Sequence, residues 1–241
     1  MDGIDIERDE AVQIAISVVS ISFALAVVFA TVSGMLAFPK EFLFFMLPLL
    51  VTVGSGFILH EMAHKLVAMY YGAQARFRMW TQGLVLMLVT SAFGFLFAAP
   101  GAVYIYSDRI DARQNGLISI VGPLTNISLV LFFMALNTLA PVSQYYSFLA
   151  NQPGLAGFGV SGGTLHVWRF GAAMNLMLAL FNMIPAFPLD GSKVFRWNRL
   201  AWIGAVGAFL VLGAVLISPA IVIGWGIMLL FFTILSKLLF G

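Results

Sequence analysis

The chain contains no cysteine, three histidines and little charge. Of its 241 residues, 12 are Lys or Arg and 10 are Asp or Glu. Without cysteine the protein can form neither disulfide bonds nor thiolate metal sites, and cysteine usage does not indicate a compartment. The net charge of +2 comes from scattered basic residues, which is unlike the dense basic patch of a nucleic-acid-binding protein. We therefore expect no nucleic-acid partner.

Apolar residues make up most of the sequence. Hydrophobic residues account for 61% of the chain and charged residues for 9%, and the mean hydropathy is +1.02. Several apolar stretches reach the ~20 residues that a helix needs to cross a bilayer. The composition predicts an all-α polytopic membrane protein, embedded in lipid, with about six transmembrane helices. Their predicted ranges are 11–38, 42–71, 117–139, 167–184, 200–217 and 220–239. Residues 140–165, which carry no charge and are rich in Gly, Pro, Ser and Asn, are predicted to form a loop.

Charged residues set the predicted orientation. Residues 1–10 carry five acids and one arginine, which is opposite to the basic start of a signal peptide, so we expect the first span to be retained. Lys and Arg concentrate on the cytoplasmic side of membrane proteins, which favours a cytoplasmic amino terminus. This orientation places Arg8, Arg76, Arg78, Arg109, Arg113, Lys193, Arg196, Arg199 and Lys237 in the cytoplasm, and Lys40 and Arg169 opposite. We predict a multi-pass protein of the cell membrane.

Residues 73–113 fit none of the six spans. Residues 81–99 are apolar, and pairs of arginines precede and follow them. A single crossing would put these two basic clusters on opposite sides of the membrane, against the cytoplasmic concentration of Lys and Arg. Residues 103–106 are β-prone, and glycine and proline interrupt the stretch. We therefore expect a short membrane-associated β or re-entrant segment after the second helix, with an additional span at 81–99 as the alternative.

The pattern His60-Glu61-Met62-Ala63-His64 lies inside the second predicted span. Helix positions four apart share a face, so His60 and His64 can offer two imidazole nitrogens to one metal ion, with Glu61 beside them. Ionisable groups within hydrocarbon are costly and usually mark function. The pattern predicts the metal site of a zinc hydrolase, and the alternative is a polar helix face with hydrogen-bonded histidines.

A catalytic zinc usually takes three protein ligands and leaves one position for water. In or beside the predicted spans, the remaining strong ligands are Asp190 and His166, and the distribution of Lys and Arg predicts that His166 lies on the opposite side of the membrane. Pro185 and Pro188 should break the fourth helix just before Asp190, and such a break is tolerated only where protein or water lines it. Asp190 is therefore the predicted third ligand, and a helix-ending turn with a solvated aspartate is the alternative.

Asn182 is an uncharged polar residue near the end of the fourth predicted span. Within hydrocarbon its amide could hold a substrate carbonyl or stabilise an oxyanion. The alternative is a hydrogen bond between helices. We predict Asn182 as a substrate-binding residue.

Three motifs, taken together, resemble the site-2 protease family of intramembrane zinc metalloproteases. They are the His60–His64 pattern, Gly122-Pro123-Leu124-Thr125-Asn126, and Asn182-Met183-Ile184-Pro185-Ala186-Phe187-Pro188-Leu189-Asp190-Gly191. The second motif is predicted to be a turn set into the start of the third apolar helix. The compact chain is similar to the prokaryotic, especially archaeal, members. It departs from the family pattern at Ser192, where a second glycine is common, and it has no PDZ or CBS domain.

The resemblance implies one membrane protease domain over residues 1–241, with a catalytic core within residues 42–199. It implies one Zn²⁺ per chain on His60, His64 and Asp190, with Glu61 as general base and Asn182 holding the substrate backbone. The implied activity is regulated intramembrane proteolysis, in which a transmembrane protein or peptide is cut within or near its membrane segment. Because helical peptide bonds are hidden, the substrate must unwind, and a strand within residues 81–106 could pair with it by β-augmentation.

A membrane zinc transporter or sensor is the alternative function, because it would also place His and Asp in the membrane. The two functions differ in their need for Glu61. A transport site has no chemical need for an acid that is not a ligand beside the first histidine, whereas hydrolysis needs a base. The sequence therefore favours the protease.

Overall fold

Helices account for 75% of the structure. The computed structural model describes residues 6–96, 100–107 and 109–240, and for Pro153 and residues 236–240 it describes the backbone without the side chains. Residues 97–99 of the predicted β or re-entrant segment lie outside the described residues, as does the side chain of Lys237, which is predicted to be cytoplasmic. The helices are α1 (Arg8–Ala37), α2 (Pro39–Leu49), α3 (Ser55–Tyr70), α4 (Thr81–Ala92), α5 (Ala112–Leu139), α6 (Val167–Asn182), α7 (Asp190–Trp197), α8 (Arg199–Leu216) and α9 (Pro219–Phe240).

Each predicted span coincides with helix in the structure. In the part of the chain that the structure describes, four helical segments are long and apolar enough to cross a membrane: Arg8–Ala37, Pro39–Tyr70, Ala112–Leu139 and Arg199–Leu216. The fourth and sixth predicted spans form α6, which has 16 residues, and α9. The prediction of a helical membrane protein is confirmed, and the number of six crossings remains a prediction.

The second predicted span is not one regular helix. A π-helical turn, Leu50–Gly54, joins α2 to α3. Pro48 precedes this turn, and its carbonyl accepts a 2.6 Å hydrogen bond from the hydroxyl of Thr52. π turns are frequent at functional sites because they redirect backbone carbonyls away from the regular ladder. Here the turn directs the carbonyl of Thr52 to a side chain of α6, as described below.

The segment after the second helix, predicted as β or re-entrant, folds as two strands with a helix between them. Strands β1 (Gln74–Met79) and β2 (Gly101–Tyr106) pair antiparallel, with Gln74 opposite Tyr106 and Met79 opposite Gly101. The helix α4 between them packs along α1. The β-prone stretch is therefore a strand, as predicted, and most of the apolar stretch that precedes it is a short helix.

The centre of the fold is α6, which is buried along most of its length between α5 and the π turn. Its first residue follows a small sheet, β3 (Ser143–Tyr145), β4 (Val160–Ser161) and β5 (Thr164–His166), in the order β3-β5-β4. Its last residue leads into the predicted break before Asp190. The connection 140–165, predicted as a loop, contains this sheet and two 3-10 turns.

The prediction of a turn at Gly122–Asn126 is wrong. The helix α5 continues through Gly122 and Pro123. Glycine and proline are turn signals in sequence, but tertiary packing overrides local propensity. In this helix the small residue serves close packing against α3.

Candidate metal centre

His60 and His64 extend from one face of α3 towards α5. Both residues are buried, with 4% and 7% of their surface exposed. Their Nε2 atoms are 3.0 Å apart. The spacing of four residues therefore directs both imidazole nitrogens to one point, as the sequence predicts.

Asp190 reaches the same point from the break that follows α6. Its Oδ2 atom lies 3.3 Å from Nε2 of His60 and 3.0 Å from Nε2 of His64. The break itself is held by neighbouring groups, since the indole N–H of Trp202 donates a 2.8 Å hydrogen bond to the carbonyl of Met183. Gly191 packs against the carbonyl oxygens at this break, where a β-carbon would clash. The chain can therefore turn sharply and begin α7 at Asp190.

These three side chains fit a zinc ion. Among the described residues, His60, His64 and Asp190 form the group of metal-ligating side chains, with ligand atoms within 4.8 Å of one another. Zinc takes imidazole and carboxylate ligands at about 2.0–2.1 Å, so two of its ligands in a tetrahedral site stand about 3.3 Å apart. The three edges measured here, 3.0, 3.0 and 3.3 Å, are close to that value.

Hydrogen bonds at Nδ1 orient both imidazole rings. Nδ1 of His60 lies 2.6 Å from Oδ1 of Asn126, and Nδ1 of His64 lies 2.6 Å from the carbonyl oxygen of Ile118. Both partners are acceptors, so each Nδ1 carries the proton and each Nε2 keeps its lone pair for a metal. α5 thus fixes the protonation of both rings that α3 supplies.

A network of two asparagines supports His60. Nδ2 of Asn126 donates to Oδ1 of Asn175, on α6, at 3.0 Å and to the carbonyl of Gly56 at 3.2 Å. Nδ2 of Asn175 donates to the carbonyl of Thr52 in the π turn at 3.1 Å. Both asparagines are fully buried. The network determines which way the Asn126 amide faces, so that its oxygen is turned to His60.

Glu61 lies beside the two histidines and Asp190 and is bound by the hairpin, the unit formed by β1, α4 and β2. The residue is 7% exposed, and its Oε2 atom accepts a 2.9 Å hydrogen bond from the backbone N–H of Val103 on β2. Glu61 is not one of the three ligands that the structure brings together. Its position next to them suits a general base that acts on a water at the metal.

A cavity of about 240 Å³ opens onto this cluster. Glu61, the two histidines and Asp190 line it together with residues of β2 and apolar side chains. The arrangement therefore combines a three-ligand site with an unligated acid and space for a bound molecule.

Residues 48–204 match the protein family described as Peptidase family M50. This range is more than half of the chain and contains both histidines, Glu61 and Asp190. The chain belongs to peptidase family M50. The resemblance to site-2 proteases, drawn from the three motifs, is thereby confirmed.

Curated relatives of this M50 peptidase carry zinc metalloprotease names. One from Methanocaldococcus jannaschii, provisionally so named, is 37% identical over 195 residues, or 80% of this chain and 86% of that protein. One from Bacillus subtilis, also provisionally named, is 30% identical over 159 residues, or 61% of this chain and 67% of that protein. A second from Methanocaldococcus jannaschii, named a zinc metalloprotease, is 28% identical over 139 residues, or 58% of this chain and 30% of that protein. No solved structure matches the chain significantly.

The family and the apolar helices together make this M50 peptidase a multi-pass membrane metallopeptidase.

Of the two other residues considered from the sequence, Asn182 lies at the site and His166 lies elsewhere in the fold. Asn182 lines the same cavity as the histidines, and its Nδ2 donates to the carbonyl of Leu178 at 2.9 Å. His166 lies at the other end of α6, where its Nδ1 is 2.9 Å from the hydroxyl of Ser143. The structure thus brings Asp190 to the histidines and leaves His166 apart.

Four groups of this M50 peptidase were not found by sequence reasoning: Asn175, the carbonyl of Ile118, the N–H of Val103 and the ammonium of Lys193. Nζ of Lys193 lies 3.4 Å from Oδ1 of Asp190, the oxygen that faces away from the histidines. A polar residue in an apolar helix was the available signal for Asn175. The two backbone groups have no sequence signal, because any residue carries an N–H or a carbonyl.

Proposed function

We propose that this M50 peptidase is an intramembrane zinc metalloprotease that cuts membrane proteins within or near their transmembrane segments, in regulated intramembrane proteolysis. The observation that carries the proposal is the buried cluster of His60, His64 and Asp190 with Glu61 beside it. The two histidines and Glu61 lie on a helical segment, Pro39–Tyr70, that is long and apolar enough to cross a membrane. The zinc metalloprotease names of the relatives support the same chemistry. We propose one zinc ion per chain, and a single protease domain.

The residues of the site have distinct roles in this proposal. His60, His64 and Asp190 hold the zinc ion, which when bound supplies a Lewis acid for activating water and polarising the peptide carbonyl. Glu61 accepts the proton of the attacking water and later passes it to the nitrogen of the leaving amine. Burial of Glu61 keeps this proton transfer away from bulk water, where electrostatic interactions are weaker.

The outer edge of β2 is the proposed binding surface for the substrate backbone. The N–H groups of Phe77 and Val103, which are opposite each other, bond outward to Glu10 and Glu61. In an antiparallel pair such positions alternate, so Gly101 and Ile105 also direct their backbone groups away from β1. Gly101, Val103 and Ile105, all on β2, line the cavity. An unwound substrate segment can therefore add to β2 as a strand, with its backbone beside the metal cluster.

Asn182 is the proposed side-chain contact to the substrate. Its amide lies on the cavity wall, and one bond to the carbonyl of Leu178 occupies a single N–H of the amide. An asparagine amide has two N–H groups and an acceptor oxygen. Asn182 therefore has capacity left for a substrate carbonyl.

We propose six membrane crossings and a non-crossing hairpin in the cell membrane, with a cytoplasmic amino terminus. The 12 residues of α4 span about 18 Å, which is shorter than the ~30 Å hydrocarbon layer. The antiparallel pairing returns the chain to its starting level at Tyr106. Arg76 of β1 bonds Glu7 at the start of α1 at 2.7 Å, which supports placing both on one side.

The test uses purified full-length protein in detergent or bilayer, loaded with zinc and offered several single-span peptides with helix-destabilised segments. We expect cleavage that a chelator abolishes and added zinc restores. Glu61→Gln should keep the zinc and reduce cleavage by about two orders of magnitude or more, because general-base catalysis is lost. Absence of cleavage by the wild-type protein, together with zinc transport across liposomes, would establish the transporter alternative and refute the protease.

A further inference from the structure

We propose that the backbone N–H of Val103 is a positioning group for Glu61, and that an ion pair between Glu10 and Lys65 holds the hairpin in place for it. The proposal rests on the proposed function, in which Glu61 is the base. It assigns to the hairpin a second role besides substrate binding, namely control of the geometry of the base.

The contact between Val103 and Glu61 joins the hairpin directly to the reacting group. The N–H of Val103 donates to Oε2 of Glu61 at 2.9 Å. A carboxylate has two oxygens, so a donor fixed on Oε2 determines where Oε1 faces. Hydrogen bonds from backbone N–H groups to carboxylates are charge-assisted and stronger than neutral ones. The position of β2 therefore sets the orientation of the Glu61 carboxylate.

Strand β1, which pairs with β2, is held by a second buried carboxylate, that of Glu10, at the residue opposite Val103. Phe77 lies opposite Val103, and its N–H donates to Oε1 of Glu10 on α1 at 2.9 Å. The neighbouring outward N–H of β1, from Met79, donates to Oε1 of Gln13 on α1 at 3.0 Å. The first helix thus holds β1 through two side chains, while Glu61 holds β2.

Lys65 connects Glu10 back to α3, the helix that carries Glu61. Its Nζ atom lies 2.8 and 2.7 Å from the two oxygens of Glu10, and both side chains are almost fully buried, at 2% and 4% exposure. Lys65 follows Glu61 by four residues and so lies one turn further along α3. The contacts therefore run from Glu61 through Val103, Phe77 and Glu10 to Lys65, and back to α3.

A closed ring of contacts fixes the position of β2 relative to α3, as well as stabilising the fold. A buried ion pair is a poor source of stability, because desolvation of the two charges offsets their attraction. The pair between Glu10 and Lys65 contacts both the helix that carries the base and the strand that pairs with β2. The ion pair therefore affects the geometry of Glu61 through its position between α3 and β1, more than through its energy.

The first test removes the N–H of Val103 alone. Val103→Pro deletes this donor without removing a bond between β1 and β2, since the N–H points outward, and proline is tolerated on strand edges. We expect zinc content and melting temperature close to wild type. The kcat for a single-span peptide should fall about 10- to 100-fold, as misplacement of a catalytic group does, with a smaller change in KM.

Two variants at the same strand control for other effects of the substitution. Val103→Ala removes the side chain and keeps the N–H, so its kcat should exceed that of Val103→Pro at least tenfold. Tyr104→Pro removes an N–H that faces β1 and should lower the melting temperature, which Val103→Pro should not. Equal kcat values for Val103→Pro and Val103→Ala would overturn the proposal.

A second measurement tests the contact without zinc or activity. Amide hydrogen exchange at Val103 can be followed by NMR in zinc-free protein labelled with ¹⁵N-valine, with the signal assigned from Val103→Ile. Glu61→Ala should accelerate exchange at Val103 at least tenfold, because the N–H loses its acceptor. Unchanged exchange would overturn the proposal even in an active protease. Conversely, a wild-type protein that cuts no peptide would refute the proposed function while leaving this measurement valid.

The third test removes the ion pair without leaving a buried charge. The double variant Glu10→Leu with Lys65→Met should remain folded, because apolar replacement of a buried pair is often neutral or stabilising. We expect faster amide exchange at Val103 and a kcat at least tenfold lower. The matched control is Glu7→Leu with Arg76→Met, which removes a half-exposed pair between β1 and the start of α1 and should lower kcat much less. Equal kcat in the two double variants would show that Glu10 and Lys65 have no positioning role.

Discussion

Gly122 lies against the two histidines so closely that a β-carbon at this position would be 2.5 Å from Nε2 of His64 and 2.6 Å from Nε2 of His60. A side chain there would occupy the space in which the two Nε2 lone pairs meet. We therefore expect Gly122→Ala to fold and to lose most of its zinc, measured by elemental analysis of the purified protein. Gly224, on α9, has open space where a β-carbon would lie, so Gly224→Ala should keep full occupancy. A Gly122→Ala protein with full zinc occupancy would contradict the site.

The third ligand gives a second prediction about metal content. Asp190→Asn should sharply reduce zinc occupancy, because an amide is a weaker ligand and the two histidines alone make a poor site. Asp111→Asn is a suitable control, since Asp111 caps α5 through Gln114 and asparagine caps equally well. Full occupancy in Asp190→Asn would remove Asp190 from the ligand set.

The asparagine network predicts a graded effect on metal affinity. Asn126→Ala leaves the Nδ1 proton of His60 without its acceptor, and loss of such a partner typically weakens metal binding about 10- to 100-fold. Asn126→Asp keeps an acceptor for His60 and should retain more affinity than Asn126→Ala. Competition with a chelator of known zinc affinity measures both values. Identical affinities for the two variants would show that the orientation of His60 does not depend on this bond.

Topology is testable because the chain has no cysteine. Arg78, on β1, and Arg109, after β2, are exposed, and single cysteines at these positions should react with an impermeant thiol reagent from the same side of the membrane. A cysteine at Lys40, also exposed, should react from the opposite side. Labelling of positions 78 and 109 from opposite sides would mean that residues 81–99 cross.

The part of the site that a sequence pattern can reveal is the part that one helix builds. His60 and His64 face the same way because helical geometry alone relates positions four apart. Asp190 was predictable because Pro185 and Pro188 end the preceding helix and few other ligands exist. The spans followed from length and apolar composition in the same way.

What sequence could not reveal depends on pairing between distant segments. The acceptor for His64 is a backbone carbonyl 54 residues away, and the donor to Glu61 is a backbone N–H 42 residues away. No residue type marks either group. The continuous helix at Gly122 and Pro123 was missed for a related reason, since the packing that favours glycine there involves residues of α3.

The order of the ligands along the chain has a consequence for biosynthesis. His60, Glu61 and His64 are made early, whereas Asp190 belongs to the seventh helix. At about 5–20 residues per second, Asp190 leaves the ribosome several seconds or more after His64. Two histidines alone hold a metal ion weakly, so during this interval the nascent chain carries Glu61, the proposed base, without the complete set of three proposed ligands. With the proposed zinc site, this membrane metalloprotease is therefore inactive while its own helices are still being inserted.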